Sequence, residues 1–147
     1  MSQSQASETN KLLGYASDAR LLIINADDFG MCHAANAAIF RSLTEGIACS
    51  TTLMVPCPWA HHAMRLLSEN PTIPFGVHLT ALCDGADYRW GPITSRDKVS
   101  SLVDETGCFY RFERMPEFLA QLRLDELEIE FRAQIETVLA ANLKPTH

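Results

Sequence analysis

Residues 21–30 read Leu21-Leu22-Ile23-Ile24-Asn25-Ala26-Asp27-Asp28-Phe29-Gly30. A continuous apolar run of this length that breaks into carboxylates and a glycine is the pattern of a parallel strand buried on both faces, ending where the chain turns toward a helix. A helical segment over His33–Glu45 follows, with Ala37, Phe40 and Leu43 among its apolar positions and Gly46 placed to end it. Ile47–Val55, rich in Thr, Val and Ile, predicts a second strand. Pro58 suits the opening turn of a helix over Trp59–Ser68, stopped by Asn70-Pro71. Phe75–Thr80 predicts a third strand. The alternation of strands and helices gives an α/β fold with a parallel sheet and helices outside it.

Ala81–Arg114 is long and carries Trp90, Gly91, Pro92 and Gly107 without a clear period; a loop of that length inside a domain is functional or disordered. The last helix is expected to begin near Asp125, where Asp125 and Glu128 have capping-box spacing. Leu127, Phe131, Ile135, Val138 and Leu139 repeat at helical intervals, and Asn142 and Pro145 close the segment. The order of elements calls for another strand at Thr146-His147. The fold therefore reads as an interrupted α/β fold over residues 21–147.

The bulk numbers bound the function. The chain has 147 residues, 47% of them hydrophobic and 20% charged, enough for one domain with a real core. A net charge of −6 argues against a nucleic-acid partner, which wants a basic stripe. No apolar run approaches the ~20 residues of a membrane span. Met1–Arg20 is polar, lacks the pattern of a signal peptide and reads as a disordered leader. Five scattered cysteines form neither a disulfide framework nor a Cys-x-x-Cys pair, which suits free thiols in a reducing cytoplasm.

Asp27 and Asp28 stand at the C-terminal end of the first strand, where parallel α/β folds gather their ligands. A carboxylate pair there offers a hard metal ligand and a general base; the competing reading makes Asp28 a helix cap and Asp27 a solvated turn residue. His78 lies near the same end of the third strand. As a lone strand histidine it is either a satisfied core residue or, with an aspartate, part of a ligand set for a hydrolytic divalent metal. His61 and His62 are consecutive on a helix, point apart and make a poor bidentate site. Tyr88 and Trp90 offer aromatic faces for a sugar ring, or pack the loop. Asp28-Phe29-Gly30 repeats the kinase metal-binding triplet, but no Gly-rich loop or His-Arg-Asp segment precedes it. Nucleophile-elbow and P-loop motifs are absent.

Asn25–Gly30, Ser50-Thr51-Thr52, Gly76-Val77-His78-Leu79-Thr80 and Lys144-Pro145-Thr146-His147, in this order and spacing, resemble the YdjC-like family of carbohydrate and chitooligosaccharide deacetylases, from about Leu21 to His147. The resemblance implies a (β/α)-barrel-like fold and metal-dependent hydrolysis of the amide of N-acetylated mono- or oligosaccharides, with Mg²⁺ or Zn²⁺ as cofactor. It matches Asp27 to the catalytic base and Asp28 and His78 to two metal ligands. His147 matches the first histidine of a Thr-His-x-Asp-x-His run whose later members lie beyond this chain, so it is a site-lining candidate, together with Trp90 and Tyr88. The alternative is a non-catalytic carbohydrate-binding remnant or a fragment without independent function. With an unclosed strand edge, the 147-residue polypeptide alone is expected to be marginally stable, to self-associate and to lack deacetylase activity.

Overall fold

The computed structural model describes residues 8–147. Of the leader expected over 1–20, residues 1–7 lie outside the described residues; the remainder contains helix α1 (Glu8–Leu12). Three parallel strands follow in consecutive order, β1 (Asn25–Phe29), β2 (Ser50–Leu53) and β3 (Phe75–Val77). They alternate with α2 (His33–Thr44) and α3 (Ala60–Glu69), and α4 (Met115–Gln121) and α5 (Leu124–Ala140) close the chain. The parallel α/β order expected from the sequence is the one observed. Among the described residues no helix is long and apolar enough to cross a membrane, and all five cysteines are free thiols.

The first strand is displaced from its expected position. Leu22 and Ile23 are about four-fifths exposed, and regular pairing begins only at Asn25 opposite Ser50. The sheet is not buried on both faces. Ala26, Phe29, Leu53, Phe75 and Val77 pack under it with Ile39, Met64, Leu67 and Val138 from the helices. Asn25, Asp27, Ser50 and Thr52 line the other face, as alternation along paired strands requires. Two-faced burial was therefore the wrong premise, and the polar residues after Ile24 are the strand itself.

Thr146-His147 adds to the free side of β3. Thr146 N–H donates to the Phe75 carbonyl at 2.8 Å and Val77 N–H to the His147 carbonyl at 3.0 Å, so the chain resumes extended pairing there as the element order demanded.

The long segment after β3 is a folded unit, not a slack loop. Cys83, Trp90, Val99, Leu102, Phe109 and Phe118 form a second core with Met54 and Cys57, and 3-10 turns replace regular helix. Asp104 is its polar anchor. Its side chain is 2% exposed and pairs with Arg89 and Arg114, and Thr106 donates through both its amide, at 2.9 Å, and its hydroxyl, at 2.6 Å. Burial alone pushes this carboxyl up, but the Thr106 and Arg89 hydrogen bonds outweigh it and hold it at about 2. A depressed folded value contributes stability that is complete above the ordinary value of 3.8 and is lost as pH falls through the folded one. Denaturation midpoints are thus expected to fall between pH 3.8 and about 2, and Asp104→Asn to flatten that limb. An unchanged acid limb in Asp104→Asn would show that Asp104 is not the group responsible.

Helix α5 departs most from its expected form. It starts at Leu124 with no side-chain cap; Asp125 instead pairs with Arg123 at 2.9 Å, so the anticipated capping box does not form. Its buried stripe is Glu126, Glu130, Gln134 and Val138. Of the expected apolar stripe Val138 is buried with them, whereas Leu127, Phe131, Ile135 and Leu139, with Leu124, line an open groove of about 530 Å³. The inversion has a physical reason: each buried polar group finds a partner in the backbone of the long segment or of Thr80. Glu126 accepts from Ser101 N–H at 2.7 Å. Glu130 accepts from Ile93 N–H at 3.1 Å and from Thr94 N–H at 3.0 Å. Carboxylates bonded to several N–H groups tolerate burial.

Candidate functional site

Asp27 and Asp28 are neighbours in a strand, so regular pleating would send their side chains to opposite faces. The chain breaks the alternation. Ala26 pairs with Thr51 and Phe29 with Leu53, three steps on β1 against two on β2. This is a β-bulge with one extra residue, and Asp28 takes φ +70° within it, a left-handed conformation that aspartate tolerates better than most side chains.

The bulge brings both carboxylates into one chain of contacts. Asp27 Oδ1 accepts from Asn25 Nδ2 and from Thr52 Oγ1, each at 2.6 Å. Thr52 Oγ1 lies 3.3 Å from His78 Nδ1, and the same nitrogen lies 3.4 Å from Asp28 Oδ1. Asp28 and His78 are each a little over one-third exposed at the side chain, so the cluster is open to a ligand. Thr52 and Asn25 carry no role in the sequence reading. Their signal was available: Asn25, Asp27 and Thr52 share one face once β1 is registered on β2.

Partial burial is the main influence on Asp28 and pushes its carboxyl above the ordinary range; His78 opposes the rise, and Asp84 and Asp27 add to it. A cation nearby relieves this arrangement. The donor chemistry also suits one: two ligand atoms ~2.0–2.2 Å from a common ion stand roughly 3–3.5 Å apart, which is the Asp28 Oδ1–His78 Nδ1 spacing. These two residues fit as a partial donor set. Among the described residues no group of three or more His, Cys, Asp or Glu side chains has ligand spacing, so His147 does not complete one. Thiol chemistry is disfavoured at this edge, because burial pushes both Cys57 and Cys83 upward.

His147 belongs to the same polar face, farther toward the start of the strands. Its Nε2 is 3.4 Å from Ser50 Oγ and its Nδ1 2.9 Å from Thr146 Oγ1. It sits over Gly76. A Cβ there would lie 2.8 Å from the His147 carbonyl oxygen and run into the imidazole. Gly76→Ala is therefore expected to displace the Thr146-His147 pairing and to cost about 1–3 kcal/mol, the range for overpacking. Denaturant titration and amide exchange at Val77 measure it; a variant of normal stability with a protected Val77 amide would contradict the close packing.

Beside Asp28 and His78 opens a cavity of about 550 Å³ whose lining includes Asp84, Met54, Thr80, Phe112, Phe118 and Phe131. Its aromatic surface is phenylalanine. Trp90, expected to face a sugar, is 4% exposed. Its ring packs in the second core and its indole N–H donates to the Leu82 carbonyl at 2.9 Å, so the packing alternative holds for Trp90. Tyr88 is exposed on the same segment and is not part of the cavity lining. His33 and His62 instead meet Trp59 as an aromatic cluster with ring centroids 4.9–5.6 Å apart.

Comparison with known proteins adds the context. A family model described as YdjC-like protein matches residues 21–147. A carbohydrate deacetylase of Brevibacillus brevis is 40% identical over 126 residues, covering 86% of this chain and 46% of that protein. A chitooligosaccharide deacetylase of Yersinia enterocolitica is 36% identical over 129 residues, covering 87% of this chain and 47% of its own length. The crystal structure of a putative cellobiose-phosphate cleavage protein from Enterococcus faecalis superimposes with a TM-score of 0.74 at 35% identity, covering 85% of this chain and 46% of that one. The chain spans about half the length of these relatives.

Proposed function

The chain belongs to the YdjC-like protein family, and from that membership we propose that it carries the base and two metal ligands of a carbohydrate deacetylase that hydrolyses the amide of N-acetylated sugars. The observation that carries the reading is the bulge-built chain of contacts from Asp27 through Thr52 and His78 to Asp28 at the C-terminal end of the sheet. The names of the relatives supply the substrate class.

Asp28 and His78 would hold a divalent ion, Mg²⁺ or Zn²⁺. Bound there, it would supply Lewis-acid polarisation of the acetyl carbonyl and of the attacking water. Asp27 takes the proton of that water as it adds to the carbonyl carbon, and the C–N bond then breaks, the sugar amine leaving with a proton and the acyl group as acetate. The hydrogen bonds from Asn25 and Thr52 both fall on its Oδ1, which fixes the carboxylate plane and leaves the second oxygen for the proton. Thr52 Oγ1 stands between the base and His78 Nδ1, so the proton-accepting group lies next to the ligand pair. The phenylalanine-walled cavity next to Asp28 offers apolar surface for a pyranose ring.

The test uses a chimera. Residues 21–147 are joined to the C-terminal half of the Brevibacillus brevis relative, and acetate release from N-acetylglucosamine oligomers is measured with Mg²⁺ or Zn²⁺ and after chelation. Metal-dependent release by the chimera, with none from the 147-residue chain, is expected. A folded chimera that binds the oligomers but releases no acetate with either ion would overturn the catalytic reading in favour of carbohydrate binding alone.

A further inference from the structure

Among the described residues two primary amides are fully buried, Asn36 on α2 and Gln134 on α5. Each grips the backbone of a residue exactly two positions beyond a candidate ligand. Asn36 Oδ1 accepts from Gly30 N–H at 2.6 Å, two residues after Asp28. Its Nδ2 donates to the Trp59 carbonyl at 3.1 Å and lies 3.0 Å from His62 Nδ1. Gln134 Oε1 accepts from Thr80 N–H at 3.0 Å and its Nε2 donates to the Thr80 carbonyl at 2.8 Å, two residues after His78.

The grip extends to the ligands themselves. Gly30 takes φ +107°, and a Cβ there would stand 3.0 Å from the Met54 carbonyl oxygen and 3.2 Å from Ala60 Cα. The turn that ends the Asp27–Asp28 bulge is therefore pressed against the β2–α3 connection, and Asn36 ties the two together. On the other side, Thr80 Oγ1 donates to the His78 carbonyl at 2.7 Å. Gln134 is held in turn by Glu130, whose Oε1 accepts from Nε2 at 2.8 Å. Burying a primary amide is costly unless its donors and acceptor are used. Here they are used on the backbone at the two places that set where Asp28 and His78 stand.

We propose that Asn36 and Gln134 are paired positioning residues that fix the separation of Asp28 and His78, and so the affinity of that pair for a divalent cation. This rests on the metal reading given above. An amide present only to fill the core would be replaceable by an apolar side chain of similar size without effect on the ligand pair, and this separates the two roles.

The experiment is a calorimetric titration of the chimera with Zn²⁺, together with amide hydrogen exchange and the nuclear Overhauser contact between His78 and Thr52. Asn36→Leu and Gln134→Met are each expected to weaken Zn²⁺ binding by roughly 10- to 100-fold, the usual scale for groups that orient ligands. Exchange should accelerate at Gly30 in the first and at Thr80 in the second. Asn36→Asp keeps the acceptor for Gly30 N–H but loses the donor to the Trp59 carbonyl, and should recover only part of the affinity lost in Asn36→Leu. Leu67→Ala and Val138→Ala destabilise the same core without touching either grip and should leave affinity within about threefold. Equal losses in these controls, or protected Gly30 and Thr80 amides in the amide variants, would overturn the proposal. If the unaltered chimera takes up no Zn²⁺, the metal reading fails on its own. The positioning role is then upheld by faster exchange at Gly30 and Thr80 with loss of the His78–Thr52 contact in Gln134→Met, and refuted by their persistence.

Discussion

Asp27→Asn is expected to lower acetate release by the chimeric deacetylase roughly 10²- to 10⁴-fold, the range for removing a general base, while Zn²⁺ affinity stays within a few-fold. The amide oxygen of asparagine can still accept from Asn25 and Thr52, so the bulge and its contacts survive. The substituted side chain cannot take a proton from water. The measurement pairs steady-state acetate release with calorimetry on the same preparation. Turnover near that of the parent would make Asp27 a structural acceptor for the Thr52 hydroxyl and nothing more.

The second large effect falls on the ligand pair. Asp28→Ala and His78→Ala should each abolish stoichiometric Zn²⁺ uptake by the chimera, because either loss removes half of the donor pair that stands at ligand spacing. The side effects differ. Asp28 is a partly buried carboxyl whose ionisation is opposed by its surroundings and by Asp84 and Asp27, so removing it relieves electrostatic strain, against which stands the cost of alanine at φ +70°. Removing His78 takes away the group that opposes that strain. Uptake at parental affinity in both variants would move the ion elsewhere.

The parallel order of the sheet was legible because strand and helix segments alternate and are separated by glycine, proline and asparagine. So was the placement of Asp28 and His78 at one edge of the sheet, the first near the end of β1 and the second just past β3. What was not legible has physical causes. The run Leu21–Ile24 looked like the strand because a buried parallel strand is apolar on both sides; here one side of the sheet is a polar site, and the strand is the less hydrophobic Asn25–Phe29. Apolar periodicity assigned the wrong face of α5 to the interior, because Glu126, Glu130 and Gln134 at four-residue spacing read as a solvated stripe until their backbone partners are known. Trp90 looked like a sugar platform because a loop tryptophan is ordinarily half-open, and only the second core explains its burial.

The extra residue in β1 has a genetic consequence. Side-chain identity at positions 26–29 is one constraint; the number of positions is another, and the harsher one. Deleting the codon of either aspartate would leave a plausible strand with a carboxylate still in it and Phe29 still opposite Leu53, yet alternation would become regular and a single residue would stand opposite Thr52 where two acids now share the edge. Substitutions at these positions remove one contact each, whereas a one-codon deletion abolishes the bulge and the left-handed turn of Asp28 together. Variation among descendants of this gene should therefore tolerate changes of letter in this segment far more readily than changes of length.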